Sequence, residues 1–131
     1  MTFLLDTQVW LWLQVSPARV GDEVRDQLAD PAARLLLSAA SSWEIAIKYA
    51  LGKLALPEPP RTYVPSRMRH DGVDGLPVSH VHALQVAALP HHHGDPFDRL
   101  LVAQAQMEGA TLVTADPQIT RYEVGLLRVA G

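Results

Sequence analysis

Four acidic residues sit where chemistry is plausible: Asp6, Glu44, Asp98 and Asp116. Asp6 closes the apolar run Phe3-Leu4-Leu5, and Asp116 follows Leu112-Val113-Thr114. Asp98 stands three residues after Asp95 in Asp95-Pro96-Phe97-Asp98, a helix-opening pattern with Asp95 at the N-cap and Pro96 at the first helical position. Glu44 is expected in the first turn of a helix capped by Ser41 or Ser42. Each acid alone is equally well explained as a cap or a partner of a helix dipole. Together they are costly, because two unit charges ~4 Å apart repel by about 4 kcal/mol at an effective dielectric of ~20. A cation relieves that repulsion, and oxygen-only ligands favour hard ions such as Mg²⁺ or Mn²⁺. Such ions activate water and neutralise phosphate, so the chemistry pointed to is phosphodiester hydrolysis without a covalent intermediate.

Those acids need elements that bring them to one place. Residues 3–5, 34–38, 76–78 and 111–114 read as short strands, with a last edge strand over 126–129. Helices are expected over 7–14, 20–29, from Trp43 to Ala50 with Gly52 as the stop, over 61–70 despite Pro65, over 80–89, and from Pro96 to Gly109. Strand and helix alternate, which predicts an α/β three-layer sandwich on a central parallel sheet, one domain over 1–131. Ligands bind such sheets beyond the carboxyl ends of the strands, where Asp6, Asp98 and Asp116 belong. Glu44 joins them if its helix starts at the same rim.

The composition is globular: 48% hydrophobic and 19% charged residues in a 131-residue chain. The absence of cysteine excludes disulfides, a thiolate nucleophile and a cysteine-ligated zinc. No run approaches the ~18 apolar residues of a membrane helix, and the N-terminus lacks the basic start of a signal peptide, so a cytoplasmic protein is expected. A net charge of −3 runs against a nucleic-acid binder, but the charges are segregated. Lys48, Lys53, Arg61, Arg67 and Arg69 make a basic middle, while the charged residues from Asp71 to Asp98 are all acidic. The basic stretch reads equally as solvated surface or as an edge that tracks phosphates.

The sequence resembles the PIN-domain ribonucleases of the VapC toxin type across nearly its whole length. The resemblance rests on Leu4-Leu5-Asp6-Thr7; on Ser41-Ser42-Trp43-Glu44-Ile45-Ala46-Ile47-Lys48 with Gly52-Lys53-Leu54; on Leu89-Pro90 and His92-His93-Gly94-Asp95-Pro96-Phe97-Asp98-Arg99-Leu100-Leu101-Val102-Ala103-Gln104-Ala105; and on Leu112-Val113-Thr114-Ala115-Asp116. It implies that Asp6, Glu44, Asp98 and Asp116 hold Mg²⁺ or Mn²⁺, with Thr114 as a supporting hydroxyl. It further implies cleavage of single-stranded RNA, silencing by a VapB-type antitoxin, and a homodimer.

Other residues carry two readings each. His91-His92-His93 is expected to be a polar loop, since adjacent histidines do not converge on one zinc, with phosphate contact as the lesser reading. Trp10 and Trp43 are expected in the core; Trp12 is a candidate for a dimer or antitoxin contact. Lys48 either pairs with Glu44 one helical turn away, worth about 0.2–0.5 kcal/mol, or touches the substrate strand. Arg99 is open between a phosphate and a neighbouring acid. An aspartyl-phosphate phosphatase is disfavoured by Gln8, where a second Asp is wanted. The remaining alternative is a non-catalytic PIN fold or a receiver-like binding module. A receiver needs its phosphoacceptor at the end of a central strand, and 34–38 carries none.

Overall fold

A computed structural model describes residues 1–130. Five strands, β1 (Thr2–Leu5), β2 (Arg34–Ser38), β3 (Val73–Leu76), β4 (Thr111–Thr114) and β5 (Leu126–Arg128), form one sheet in the order β3-β2-β1-β4-β5, every pair parallel. Six helices complete it: α1 (Thr7–Val15), α2 (Asp22–Leu28), α3 (Ala39–Ala50), α4 (Pro60–Asp71), α5 (His80–Gln85) and α6 (Pro96–Glu108).

The strands are apolar because a parallel sheet is covered on both faces. Alternate side chains divide between two cores. Phe3, Leu5, Leu37 and Val113 pack with Val9 and Trp10 of α1, Val24 and Leu28 of α2, and Tyr63 and Val64 of α4. Leu4, Leu36 and Leu112 pack on the opposite face with Leu101, Val102 and Ala105 of α6. The three-layer α/β arrangement read from the alternation is therefore the one observed. Between the layers, at the carboxyl ends of the strands, α3 touches α1, α4 and α6.

Register decides what meets at that end. Leu5 lies opposite Leu37 on one side and Val113 on the other. The next residues, Asp6, Ser38 and Thr114, consequently lie level with one another. The Asp6 N–H extends the ladder to the Val113 carbonyl at 3.0 Å.

Several boundaries differ from the sequence reading. The third strand is Val73–Leu76, so the 76–78 assignment caught only its last residue. Asp74 and Gly75 disguised the strand, since it lies at the sheet's edge and exposes those two positions. The second helix starts at Asp22, after a 3₁₀ turn over Pro17–Arg19. The 80–89 helix is α5 followed by a 3₁₀ turn over Val86–Ala88. The third helix starts at Ala39 directly off the strand, capped by the Ser38 hydroxyl, which accepts from the Ala40 N–H at 3.0 Å. Ser41 and Ser42 are therefore inside the helix, and Glu44 falls in its second turn. The centre of the sheet is β1, not the 34–38 strand, and β1 runs straight into Asp6. The strand-based objection to a receiver-like domain accordingly fails.

Candidate functional site

Asp6, Glu44, Asp98 and Asp116 line one cavity of about 460 Å³ at the carboxyl rim, together with Asp95, Lys48 and Lys53. Each acid arrives by a different route. Asp6 is the N-cap of α1, its Oδ1 accepting the Val9 N–H at 2.7 Å. The capping reading of this residue therefore holds. Glu44 is brought in by α3, which is tied to α1 by the Thr7 hydroxyl donating to Ser41 Oγ at 2.8 Å. Asp116 follows β4; its N–H donates to the buried Thr114 hydroxyl at 3.0 Å, and its Oδ1 accepts the Gln118 N–H at 2.8 Å.

Asp98 is set by the opening of α6. Asp95 Oδ1 accepts the N–H groups of Phe97 at 2.8 Å and Asp98 at 3.3 Å, and Pro96 occupies the first helical position. The expected cap is present, and Asp95 adds its own charge to the cavity.

The crowd of acids perturbs its members. Burial drives the Asp98 carboxyl up to about 7, with the charges of Asp95, Asp6 and Glu44 adding to the shift and His93 opposing it. Asp6, 5% exposed, is also raised, chiefly by burial, against the pull of hydrogen bonds from the Thr114 hydroxyl and the Val9 N–H. Lys48 Nζ donates to Glu44 Oε2 at 2.7 Å, and that bond raises the lysine's own value. The ion pair, one of the two readings of Lys48, is present at the cavity wall. Lys48 and Lys53 are the residues of the basic middle that line the cavity; Arg67 is turned away onto Gln14 and Asp71.

Two residues stand elsewhere than the sequence reading placed them. Trp43 is 62% exposed rather than packed in the core. With α3 starting at Ala39, the buried face is carried by Ala40, Ser41, Glu44 and Ile45, which leaves Trp43 outside, edge-on to Phe97 with ring centroids 5.2 Å apart. Trp10 is fully buried as expected, and partly buried Trp12 lies under the Arg19 guanidinium at 4.4 Å.

His93 is the second. It is no bystander in a polar loop: its Nε2 lies 2.7 Å from Asp116 Oδ2 and 3.2 Å from Asp98 Oδ2. The available signal was its place two residues before the Asp95 cap, which swings the preceding loop over the helix start. Arg99 pairs with no acid among the described residues. Its guanidinium donates to the carbonyls of Pro90 and Val86 and to the Tyr122 hydroxyl, pinning the same loop.

Comparison with known proteins gives a consistent picture. The family profile of the PIN domain matches residues 3–125. Ribonuclease VapC16 of Mycobacterium tuberculosis is 54% identical over 61 residues, which is 47% of this chain and 43% of that protein. Ribonuclease VapC22 of the same organism is 31% identical over 121 residues, 92% of each chain. Among solved structures, VapBC2 from Rickettsia felis, bound to a DNA fragment from its promoter, has a chain that superposes with a TM-score of 0.74 at 17% identity, covering 98% of both chains. FitAcB from Neisseria gonorrhoeae gives 0.63 at 19% identity, again over 98% of both.

Proposed function

This chain belongs to the PIN-domain family, and from that premise we propose that it is a metal-dependent endoribonuclease, the toxin half of a type II toxin–antitoxin pair. The observation that carries the reading is the convergence of Asp6, Glu44, Asp98 and Asp116, from four separate stretches of chain, on one cavity.

The donor set suits a hard dication. It consists of carboxylate oxygens, and Asp98, pushed up to about 7, marks an acidic crowd short of positive charge. Asp6, Glu44, Asp98 and Asp116 are the residues that would hold the ion, Mg²⁺ or Mn²⁺. When bound, the ion supplies activation of water and neutralisation of phosphate charge. The protein's own part is to shape and charge the site. Burial raises the carboxyls of Asp6 and Asp98, which give up protons as the ion enters. Lys48 holds one oxygen of Glu44 in place. Lys48 and Lys53 also give the acidic cavity a cationic side against which an RNA backbone can lie.

RNA is the substrate in this reading, and the partner is a VapB-type antitoxin, as the relatives' names VapC16 and VapC22 and the VapBC2 complex support. A homodimer, a single domain over the whole chain and a cytoplasmic setting belong to the same proposal; the described helices include none long and apolar enough to cross a membrane. The decisive assay is cleavage of single-stranded RNA by purified protein with Mg²⁺ or Mn²⁺, with chelator, and with Asp6→Asn and Asp98→Asn. Cleavage that stops with chelator and is lost in both variants is expected; variants as fast as wild type reject the site.

A further inference from the structure

His93 stands among the acids closely enough to raise a question about the donor set. Its Nε2 and one oxygen each of Asp98 and Asp116 lie within 4.8 Å of one another, a grouping that would suit a mixed nitrogen and oxygen metal site. The hydrogen bonds argue for a different role. A backbone amide can only donate, and the Asp95 N–H donates to His93 Nδ1 at 3.0 Å. Nδ1 therefore presents its lone pair, and the proton of the neutral ring sits on Nε2. That N–H points at Asp116 Oδ2, 2.7 Å away, and Asp98 Oδ2 lies 3.2 Å from the same nitrogen.

We propose that His93 is a positioning residue of the acidic site, donating from Nε2 to Asp116 and lying against Asp98, and not a nitrogen ligand of the metal. Ligation through Nε2 requires a lone pair there, and so a proton on Nδ1, which then faces the Asp95 N–H donor to donor. The amide cannot turn away cheaply. Asp95 is the N-cap of α6, fixed by the bonds from Phe97 and Asp98 to its side chain and followed by Pro96. The backbone that carries the ring is fixed as well, since the His93 backbone N–H donates to the Tyr122 hydroxyl at 2.9 Å.

What the bond accomplishes follows from its acceptors. The Gln118 N–H holds Oδ1 of Asp116 and His93 holds Oδ2, so the carboxylate plane is set from both sides. Lying close to both Asp98 and Asp116, the same polar N–H offsets part of the repulsion between them. Outer partners of this kind fix the ligands of a metal, and losing one typically lowers metal affinity by about 10–100-fold. The ion would keep an all-oxygen set, which favours Mg²⁺ or Mn²⁺ over zinc.

The inference rests on the four acids being the metal site, and the test separates the two. Wild-type protein is loaded with Mn²⁺ and examined by pulsed electron paramagnetic resonance for nitrogen bonded directly to the ion. Mn²⁺ affinity is measured by calorimetry for wild type, His93→Ala and His93→Gln, whose amide N–H can reach the place of Nε2–H. Expected are no directly bonded nitrogen, a loss of about tenfold or more in His93→Ala, and affinity within about threefold of wild type in His93→Gln. A bound nitrogen in wild type, an unimpaired His93→Ala, or a His93→Gln as weak as His93→Ala overturns the positioning role while leaving the metal site intact. Wild-type protein that binds no Mn²⁺ overturns both. Should His93→Ala fail to fold, the wild-type spectrum and His93→Gln still decide.

Discussion

His82 and His93 are held by the same device and end in different company. In each, a backbone N–H donates to Nδ1, from Ser79 at 3.1 Å and from Asp95 at 3.0 Å. In each, Nε2 meets a carboxylate, Glu108 at 3.0 Å and Asp116 at 2.7 Å. His82 closes a capping box at the start of α5, and the Ser79 hydroxyl returns the bond by accepting the His82 N–H at 3.2 Å. Its acid is a single glutamate whose side chain is 41% exposed to water. His93 faces two acids in a cavity lined by three more. A locked histidine–carboxylate pair is thus no mark of a site. The difference lies in how many carboxylates the fold forces together and how little water they share.

The widest test of that contrast is to remove one acid from each place. Asp98→Asn should lower RNA cleavage by at least about 10²–10³-fold, the scale for losing one charge-stabilising group at a reacting centre, whereas Glu108→Gln should leave the rate within about twofold. Steady-state cleavage of a labelled RNA in Mg²⁺ distinguishes them, and comparable losses in both would erase the distinction.

Next in size is an effect of opposite sign on stability. Asp98 has its carboxyl raised from 3.8 to about 7, mainly by burial. Between those values the folded chain keeps a proton that the unfolded chain has lost. This group's contribution to metal-free stability therefore falls as pH rises through that window and stays low above it. Asp98→Asn cannot ionise, so its melting temperature in chelator should exceed that of wild type by a few degrees, with the gap widening from about pH 5 to about pH 7.5. Saturating Mn²⁺ should stabilise wild type and reverse the order. Calorimetric scans with and without the ion check this; a gap independent of pH would show that Asp98 does not bear the strain of the crowd.

His82→Ala should destabilise by about 1–3 kcal/mol, because a buried ring and its bonds to the Ser79 N–H and Glu108 are lost, while Mn²⁺ affinity stays unchanged. Urea unfolding and calorimetry together report it; a loss of ion binding would mean that the two histidine sites are coupled. Smallest is Ser79→Ala, which removes only the hydroxyl half of the capping box and should cost about 1 kcal/mol. A cost well above that would place more of α5's stability in the cap than in its packing.

Much of this was written in local pattern. Apolar runs ending in an acid marked β1 and β4, and Asp95-Pro96 marked the start of α6 because capping and a fixed proline φ act over a few residues. Asp6, Glu44, Asp98 and Asp116 are legible from such signals and from the family resemblance. Where the reading slipped, a non-local cause can be named. The edge strand β3 carries polar Asp74 and small Gly75, which the sheet tolerates at its rim. Trp43 is exposed because α3 begins at Ala39, straight off β2, which rotates the helix face relative to a start at Ser41 or Ser42.

The sequence by itself determined the alternation of buried strands and helices, and with it a parallel sheet and an acidic rim, since side-chain periodicity and capping are properties of short segments. Only the tertiary structure decided that β1 lies at the centre of the sheet, that Asp6, Ser38 and Thr114 come level, and that the loop pinned by Arg99 lays His93 across Asp98 and Asp116. Register, crossover and loop packing join residues far apart in the chain, and no local propensity encodes the distance between two carboxylates.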